Sequence, residues 1–274
     1  MYTHIPFAYD LGPLQLTGFG VAMLLAFVIG QMVASENLEA RGFESEIMGD
    51  VTVAAVIGGL LGAKLYYAIL VGDAGAIFSR AGFVFWGGLI GGIVASAGTI
   101  LYKKQSFAQV SDAAAPALAA AYSVGRSGCW AVGDDYGRPW DGPLSVAFPD
   151  GAPPSTVANL VHQFGVKGYE NVPPQTVLAV HPTQLYEVAM GLAMFFILWR
   201  LRNHRHAAGW LFGAYCVLAG LERFVVEFFR AKDDRFFGMF TMAQVIAIGF
   251  ALGGVVWMAM RARVGPGRPA ARRA

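Results

Sequence analysis

Apolar positions in this chain fall in long unbroken blocks, not in the one-sided stripes of helices that face water. Blocks long enough to cross a bilayer, about 20 residues each, occupy 17–35, 51–71, 82–101, 183–200, 207–226 and 239–260. A seventh, 109–125, is shorter and is interrupted by Asp112 and Pro116. The pattern predicts an all-α integral membrane protein of about seven transmembrane helices, forming one membrane domain over 1–274. Between the fourth and fifth helices lies the one long polar stretch, 126–180, rich in Pro, Gly and Asp. It is expected to form a small extramembrane head.

Composition supports this class. With 56% hydrophobic and 14% charged residues, the chain is far poorer in charge than a soluble domain, in which about a quarter of residues are charged. A formal net charge of +2 gives no argument for nucleic acid. Cys129 and Cys216 are too few for a disulfide framework and lack zinc-ligand neighbours, so no metal and no cofactor are expected. The first fifteen residues lack the basic start and cleavage site of a secretory signal, which predicts that the first apolar block is retained. Cytoplasmic loops of membrane proteins carry the excess of Lys and Arg. One set of alternate loops holds eleven, including five arginines in a basic tail at 261–274, and the other holds seven. The expectation is an N-terminus and head outside, with the C-terminus in the cytoplasm.

Gly58/Gly62, Gly87/Gly91 and Gly88/Gly92 are small-xxx-small pairs that let helix backbones approach closely in lipid, so helices 2 and 3 are expected to form the tight centre. No internal repeat of the kind found in inverted-repeat transporters is present.

Four segments place polar groups where lipid disfavours them, an ionisable side chain at mid-helix costing roughly 2.5–3.5 kcal/mol on insertion scales. In "GRSGCWAVGDDYGRP" (125–139), Arg126 sits at the predicted mouth of helix 4. Its planar fork suits bidentate binding of a phosphate, with the glycines shaping the backbone around it. The plainer reading is an interfacial arginine reaching ordinary headgroups. In "ERFVVEFFR" (222–230), Arg223, Glu227 and Arg230 share a helical face, as a second cationic site or as a self-satisfied ladder of ion pairs.

"HPTQLYE" (181–187) opens helix 5. His181 is a candidate base or a simple capping partner, and Gln184 and Glu187 lie three apart, with Glu187 one turn into the membrane. "FWGGLIGG" (85–92) makes either a lipid cavity at Trp86, Gly87 and Gly88 or a packing seam. Lys64 and Asp112 are read as structural ions facing the bundle interior.

Taken in order with "LGPLQLTGFG" (11–20), "GAKLYY" (62–67) and "DAAAP" (112–116), these motifs resemble bacterial prolipoprotein diacylglyceryl transferases over nearly the whole chain. The resemblance implies a multi-pass enzyme of the bacterial plasma (inner) membrane. Such an enzyme moves the diacylglyceryl group of phosphatidylglycerol onto the lipobox cysteine of a prolipoprotein and releases glycerol phosphate, without metal or cofactor. Its partners would be phosphatidylglycerol, the prolipoprotein signal peptide and membrane lipids. By resemblance Arg126 and Arg223 are the arginines that hold the phosphate, with Glu227 orienting Arg223, and Asp134 and His181 complete the candidate catalytic set. The candidate phosphatidylglycerol-binding residues are Arg126, Arg223, Glu227, Trp86, Gly87, Gly88, Gln184 and Glu187.

The chain departs from the family pattern at specific places. Cys129 and Val132 stand where the family signature has asparagines, Asp134 where it has glutamate, Trp86 where a histidine precedes the two glycines, and Gly18-Phe19-Gly20 where Trp-Tyr-Gly is usual. The thiol proton would then pass to His181, Asp134 or Asp135. Cys129 is either a nucleophile activated by its arginine neighbour or a small residue filling the asparagine's site. A divergent paralogue acting on another acceptor, or a non-catalytic protein that binds phospholipid or lipoprotein, is the alternative.

Overall fold

Seven α-helices form around the seven apolar blocks. The protein, seen here in a computed structural model, is described over residues 2–12, 14–79, 82–231, 235–236 and 239–263. Arg80, Lys232, the side chain of Arg235 and the tail from 264 onward, all used in the charge count, lie outside the described residues. The helices are α1 (Gly18–Glu39), α2 (Glu46–Val71), α3 (Phe85–Tyr102), α4 (Phe107–Val132), α5 (Thr183–Leu201), α6 (Trp210–Val226) and α7 (Met242–Met260). Five of them, α1, α2, α3, α5 and α7, are long and apolar enough to cross a membrane. The all-α membrane class is therefore correct.

The principal difference from the sequence reading is α4. The apolar pattern stops at 125, but the helix continues through Val132 and ends only where Gly133 turns left-handed at φ 71°. Apolarity is a poor guide here because α4 is the centre of the molecule and sees other helices instead of lipid. Ala113, Ala115 and Ala119 are fully buried, and α1, α5 and α6 all pack on it. One cluster joins Ala115 and Ala119 to Met194, Leu198, Leu211 and Ala214. Another joins Val110, Ala113 and Ala117 to Ala34 and Leu38 of α1, and to Ile47, Met48 and Ile100 at the ends of α2 and α3.

Pro116 lies inside α4 and has no N–H for the carbonyl of Asp112 one turn back. Asn37, buried on α1, repairs this gap. Its amide donates to the carbonyls of Asp112 (3.1 Å) and Ala113 (3.2 Å).

The Asp112 carboxylate accepts from the backbone amides of Gly209 (2.8 Å) and Phe212 (2.9 Å) and from Arg41 (3.1 Å). It thus caps the start of α6 from a neighbouring helix, as an interior structural ion. Lys64 differs from that expectation. Its ammonium donates to the Ser79 carbonyl at 2.5 Å and lies over the Phe83 ring at 4.3 Å, at the α2–α3 turn instead of in the bundle interior. The reason is its length: a lysine near a helix end reaches out to the interface.

The glycine seam forms as expected, but it is not the centre. A Cβ at Gly58, Gly62, Gly87 or Gly91 would strike the backbone of the partner helix. The outward faces of α2 and α3, with Leu61, Leu65, Ile93 and Val94 among them, stay exposed, as lipid-facing surfaces do.

The segment between α4 and α5, 134–182, covers most of the stretch expected as the head (126–180) and is stitched to the N-terminus. The strand Tyr2–Thr3 pairs in parallel with Val146–Ala147, which pairs antiparallel with Ala179–Val180. Phe148, fully buried, stacks on Tyr136 and meets Trp130 edge-on. The head's core thereby rests on the last turn of α4.

Candidate functional site

The two extra turns of α4 carry Arg126 to the point where α5 begins and α6 ends. The loop after Gly133 is fixed there by the first residues of α5. Thr183 donates through Oγ1 to the carbonyl of Asp135 (2.7 Å), and Gln184 through Nε2 to that of Asp134 (2.5 Å). Both side chains are fully buried. Gly137 crosses between α5 and the end of α6, donating to the His181 carbonyl at 2.8 Å. A Cβ at 137 would meet Phe229, His181 and Thr183, so only glycine permits this crossing.

Three guanidinium groups converge on Glu187. Arg126 Nη2 donates to Glu187 Oε2, while Arg230 Nη1 and Arg223 Nη1 stand 3.8 and 3.9 Å from Oε1. Arg223 also pairs with Glu227 at 2.7 Å. Asp135 bridges the other two arginines, one oxygen 2.9 Å from Arg126 and the other 2.8 Å from Arg230. Three cations thus meet three carboxylates, and every arginine is ion-paired, although Arg126 Nε is buried without a hydrogen-bond partner among the described residues. Arg126 and Arg230 side chains are 13% and 15% exposed, Arg223 35% and Asp135 42%. The cluster is therefore most open at Arg223 and Asp135.

Asp134 and Asp135 are adjacent but differ in acidity. Burial, reinforced by the neighbouring Asp135 charge, pushes Asp134 up from 3.8 to about 6. Burial alone would raise Asp135 too, but Arg230 and Arg126 outweigh it and bring that carboxyl down to about 2. Asp134 Oδ1 is buried without a hydrogen-bond partner among the described residues. The Cys129 thiol lies 3.2 Å from Arg126 and is buried. Cys129, Asp134 and Asp135 bring ligand atoms within 4.8 Å of one another. The Arg126 guanidinium already stands where a cation would sit among them, so this group fits an arginine better than a metal.

His181 stands just before α5, its carbonyl accepting from the Gly137 amide. Its ring stacks on Trp140 (centroids 4.3 Å apart, 8° between planes), and its Nδ1 is 3.1 Å from the Tyr186 hydroxyl. Burial lowers its pKa, favouring the neutral ring. With Trp140, Tyr186, Met190, Val225, Val226 and Phe229 it lines an apolar cavity of about 380 Å³. Among the described residues it makes no hydrogen bond or ion pair with the three arginines. Trp86 is half-exposed at the start of α3, against Phe85. Gly87 and Gly88 pack on the backbone of α2, so the seam reading of that motif is the one the structure takes.

Of the residues singled out from sequence, Arg126, Arg223, Glu227, Glu187, Gln184 and Asp134 come together. Arg230 and Asp135 are equal members of the cluster, and Tyr122 and Glu222 are attached to it. The spacing of Arg223, Glu227 and Arg230 on one face was the signal for Arg230. Tyr122, one turn before Arg126 on α4, offered the only signal for itself.

A family model described as prolipoprotein diacylglyceryl transferase matches residues 6–260. A phosphatidylglycerol–prolipoprotein diacylglyceryl transferase of Burkholderia mallei is 30% identical, over 92% of this chain and 93% of its own. One of Paraburkholderia xenovorans is 30% identical over 95% of each.

Proposed function

The chain belongs to the prolipoprotein diacylglyceryl transferase family, and from that premise we propose that it transfers the diacylglyceryl group of phosphatidylglycerol to the lipobox cysteine of prolipoproteins. The observation that carries this reading is the convergence of three guanidinium groups on one buried carboxylate where α4, α5 and α6 meet. In the reaction the thiol sulfur attacks a glycerol carbon and the C–O bond breaks. Its electrons pass to the departing phosphate, which becomes glycerol phosphate. Fixed cations in a site that excludes water stabilise that growing charge better than water does. Arg223, the most open of the three, meets the phosphate first. Arg126 and Arg230 exchange carboxylate contacts for phosphate contacts as the ligand seats.

Asp134 is the group we assign to the thiol proton. A value of about 6 leaves it ionised at neutral pH yet basic enough to accept a proton, the match that general-base catalysis needs. His181, neutral and stacked, shapes the apolar cavity that takes a hydrocarbon part of a substrate. Trp86 meets bulk lipid at the interface. Cys129 fills its place beside Arg126 as a neutral thiol. All seven helices cross the plasma membrane, with the N-terminus and head outside and the C-terminus in the cytoplasm. This orientation is supported by the pairing of Tyr2–Thr3 with the head and by the eleven-to-seven charge bias.

The test is direct. Purified protein with phosphatidylglycerol vesicles and a lipobox peptide is expected to yield thioether-linked peptide together with glycerol phosphate, and Arg126→Ala to yield neither. Binding of lipid and peptide without either product would replace this reading with that of a non-catalytic escort.

A further inference from the structure

The Tyr122 hydroxyl oxygen lies between two buried carboxyl groups, 3.0 Å from Glu222 Oε1 and 3.2 Å from Glu187 Oε1. A phenol has one hydrogen to donate. Two ionised carboxylates at this spacing leave one of them facing only lone pairs, in an interior where an unpaired buried charge is costly. The contacts are satisfied when one carboxyl keeps its proton and donates it to the phenol oxygen, while the phenol donates to the other. Position decides which. Glu187 has three guanidinium groups within 3.9 Å, which favour its carboxylate form over that of Glu222. Glu222 is 5% exposed, and among the described residues it has no ion-pair partner. The guanidinium of its neighbour Arg223 is directed to Glu227 and Glu187 instead.

We propose that Glu222 stores a proton in the resting protein and that Glu222, Tyr122 and Glu187 form a relay which supplies it to the leaving phosphate. The relay rests on the transferase reading for its use, though not for its existence. When a phosphate takes the arginines from Glu187, that carboxylate loses its cations and becomes the better proton acceptor of the two. Tyr122 hands its hydrogen to Glu187 and takes the one held by Glu222. As the thiol sulfur bonds to the glycerol carbon and the C–O bond breaks, the departing phosphate oxygen takes the proton from Glu187. The thiol's own proton passes to Asp134 and then to water, and on product release Glu222 is refilled from water. One proton is lent and one returned, with no oxidant or reductant involved. Tyr122 and Glu222 are relay residues acting through Glu187, and the reaction does not require them to touch the lipid.

The experiment uses the full chain in phosphatidylcholine nanodiscs and difference infrared spectroscopy at neutral pH, where most of Asp134 is ionised. A carbonyl stretch of a neutral carboxylic acid is expected in the wild type, absent in Glu222→Gln and shifted in Tyr122→Phe. Adding phosphatidylglycerol is expected to move the band as the proton changes carboxyl. In turnover, Glu222→Gln and Tyr122→Phe are each expected to lower kcat by about 10²-fold, the scale of a lost proton transfer. KM should stay near the wild type, and the alkaline fall of the rate profile should disappear. The proposal is overturned if the wild type has no such band, if the band survives in Glu222→Gln, or if both variants keep the wild-type kcat and pH profile. A band that behaves as stated in a protein that makes no product upholds the stored proton and sinks the transferase reading instead.

Discussion

Asp135 accepts from Arg126 at 2.9 Å while its own backbone stands at φ 54°, in the left-handed region. Few residues other than glycine adopt that conformation without strain, asparagine and aspartate being the tolerated ones. Strained backbone of this kind persists where surrounding contacts over-determine it. Here the hydroxyl of Thr183 holds the Asp135 carbonyl, and two arginines hold the carboxylate. The chain bends at 135 in order to aim one carboxylate at two cations.

Charge and backbone are separable at this position. Asp135→Asn keeps tolerance of the left-handed conformation and removes the bridge between Arg126 and Arg230. The expected result is a fall of about 10-fold in kcat/KM, about 1.4 kcal/mol, together with loss of the stability that its ion pairs contribute above pH 3.8. Asp135→Ala removes the bridge and adds backbone strain of about 1–2 kcal/mol, so its melting temperature should fall further than that of Asp135→Asn. Parallel thermal melts and product assays of the two variants distinguish these effects.

The two adjacent aspartates predict opposite pH dependences. Asp134 is raised from 3.8 to about 6 in the folded protein. Between those values the folded chain keeps a proton that the unfolded chain has lost, so Asp134's contribution to stability falls as pH rises through that window. Asp135, lowered to about 2, contributes stability that is present above 3.8 and lost as pH falls towards 2. Asp134→Asn is therefore expected to melt higher than wild type above pH about 6 and alike below pH about 4, with at most ~3 kcal/mol at stake. The same variant should lose about 10²-fold in kcat/KM and the acid limb of its rate profile near 6. Unaltered melts and an unaltered acid limb would remove Asp134 as the base.

Much of this arrangement is legible in the sequence because the physics is local. Lipid-facing helices must be continuous apolar blocks, and α1, α2, α3, α5 and α7 read as such. The i, i+4, i+7 spacing of Arg223, Glu227 and Arg230 survives at the end of α6, and the glycines of α2 and α3 meet as their spacing requires. The central helix was harder to read for the same reason. Enclosed by protein on most sides, α4 can be built from alanine and glycine and can carry Asp112, Tyr122 and Arg126, so its apolar block ends before the helix does. The exchange of contacts around Glu187 joins residues up to 100 positions apart, Tyr122 and Glu222 among them. No local pattern encodes such a meeting.

The α2–α3 seam offers a clean packing test. A Cβ at Gly91 would collide with the carbonyl of Gly58 and the Cα of Gly62, whereas one at Gly98, farther along the same helix, would meet nothing within 4 Å. Backbone cannot step aside as a flexible side chain can. Gly91→Ala is expected to destabilise the protein by about 1–3 kcal/mol, the usual cost of overpacking, and Gly98→Ala to be neutral or slightly stabilising. Denaturant titration in detergent compares them. Equal stabilities would mean that the two helices do not pack through these glycines.

Asn37 and Pro116 make the sharpest prediction, because each compensates for the other across two helices. Pro116 deprives the Asp112 carbonyl of its helical donor, and the Asn37 amide replaces that donor at 3.1 Å while also serving Ala113 at 3.2 Å. Asn37→Leu keeps the volume but leaves the buried Asp112 carbonyl without a donor, and a loss of about 1–3 kcal/mol is expected. Pro116→Ala returns an N–H to α4 and, by itself, should change stability little, since Asn37 already serves the carbonyl. In the double variant the restored backbone bond takes over from the missing amide, so Asn37→Leu should cost less in the Pro116→Ala background than in the wild type. A double-mutant cycle reads that difference as a coupling energy, expected at 0.5 to about 2 kcal/mol. Strict additivity would show that the amide does not repair the proline gap, and α1 would then owe its place on α4 to apolar packing alone.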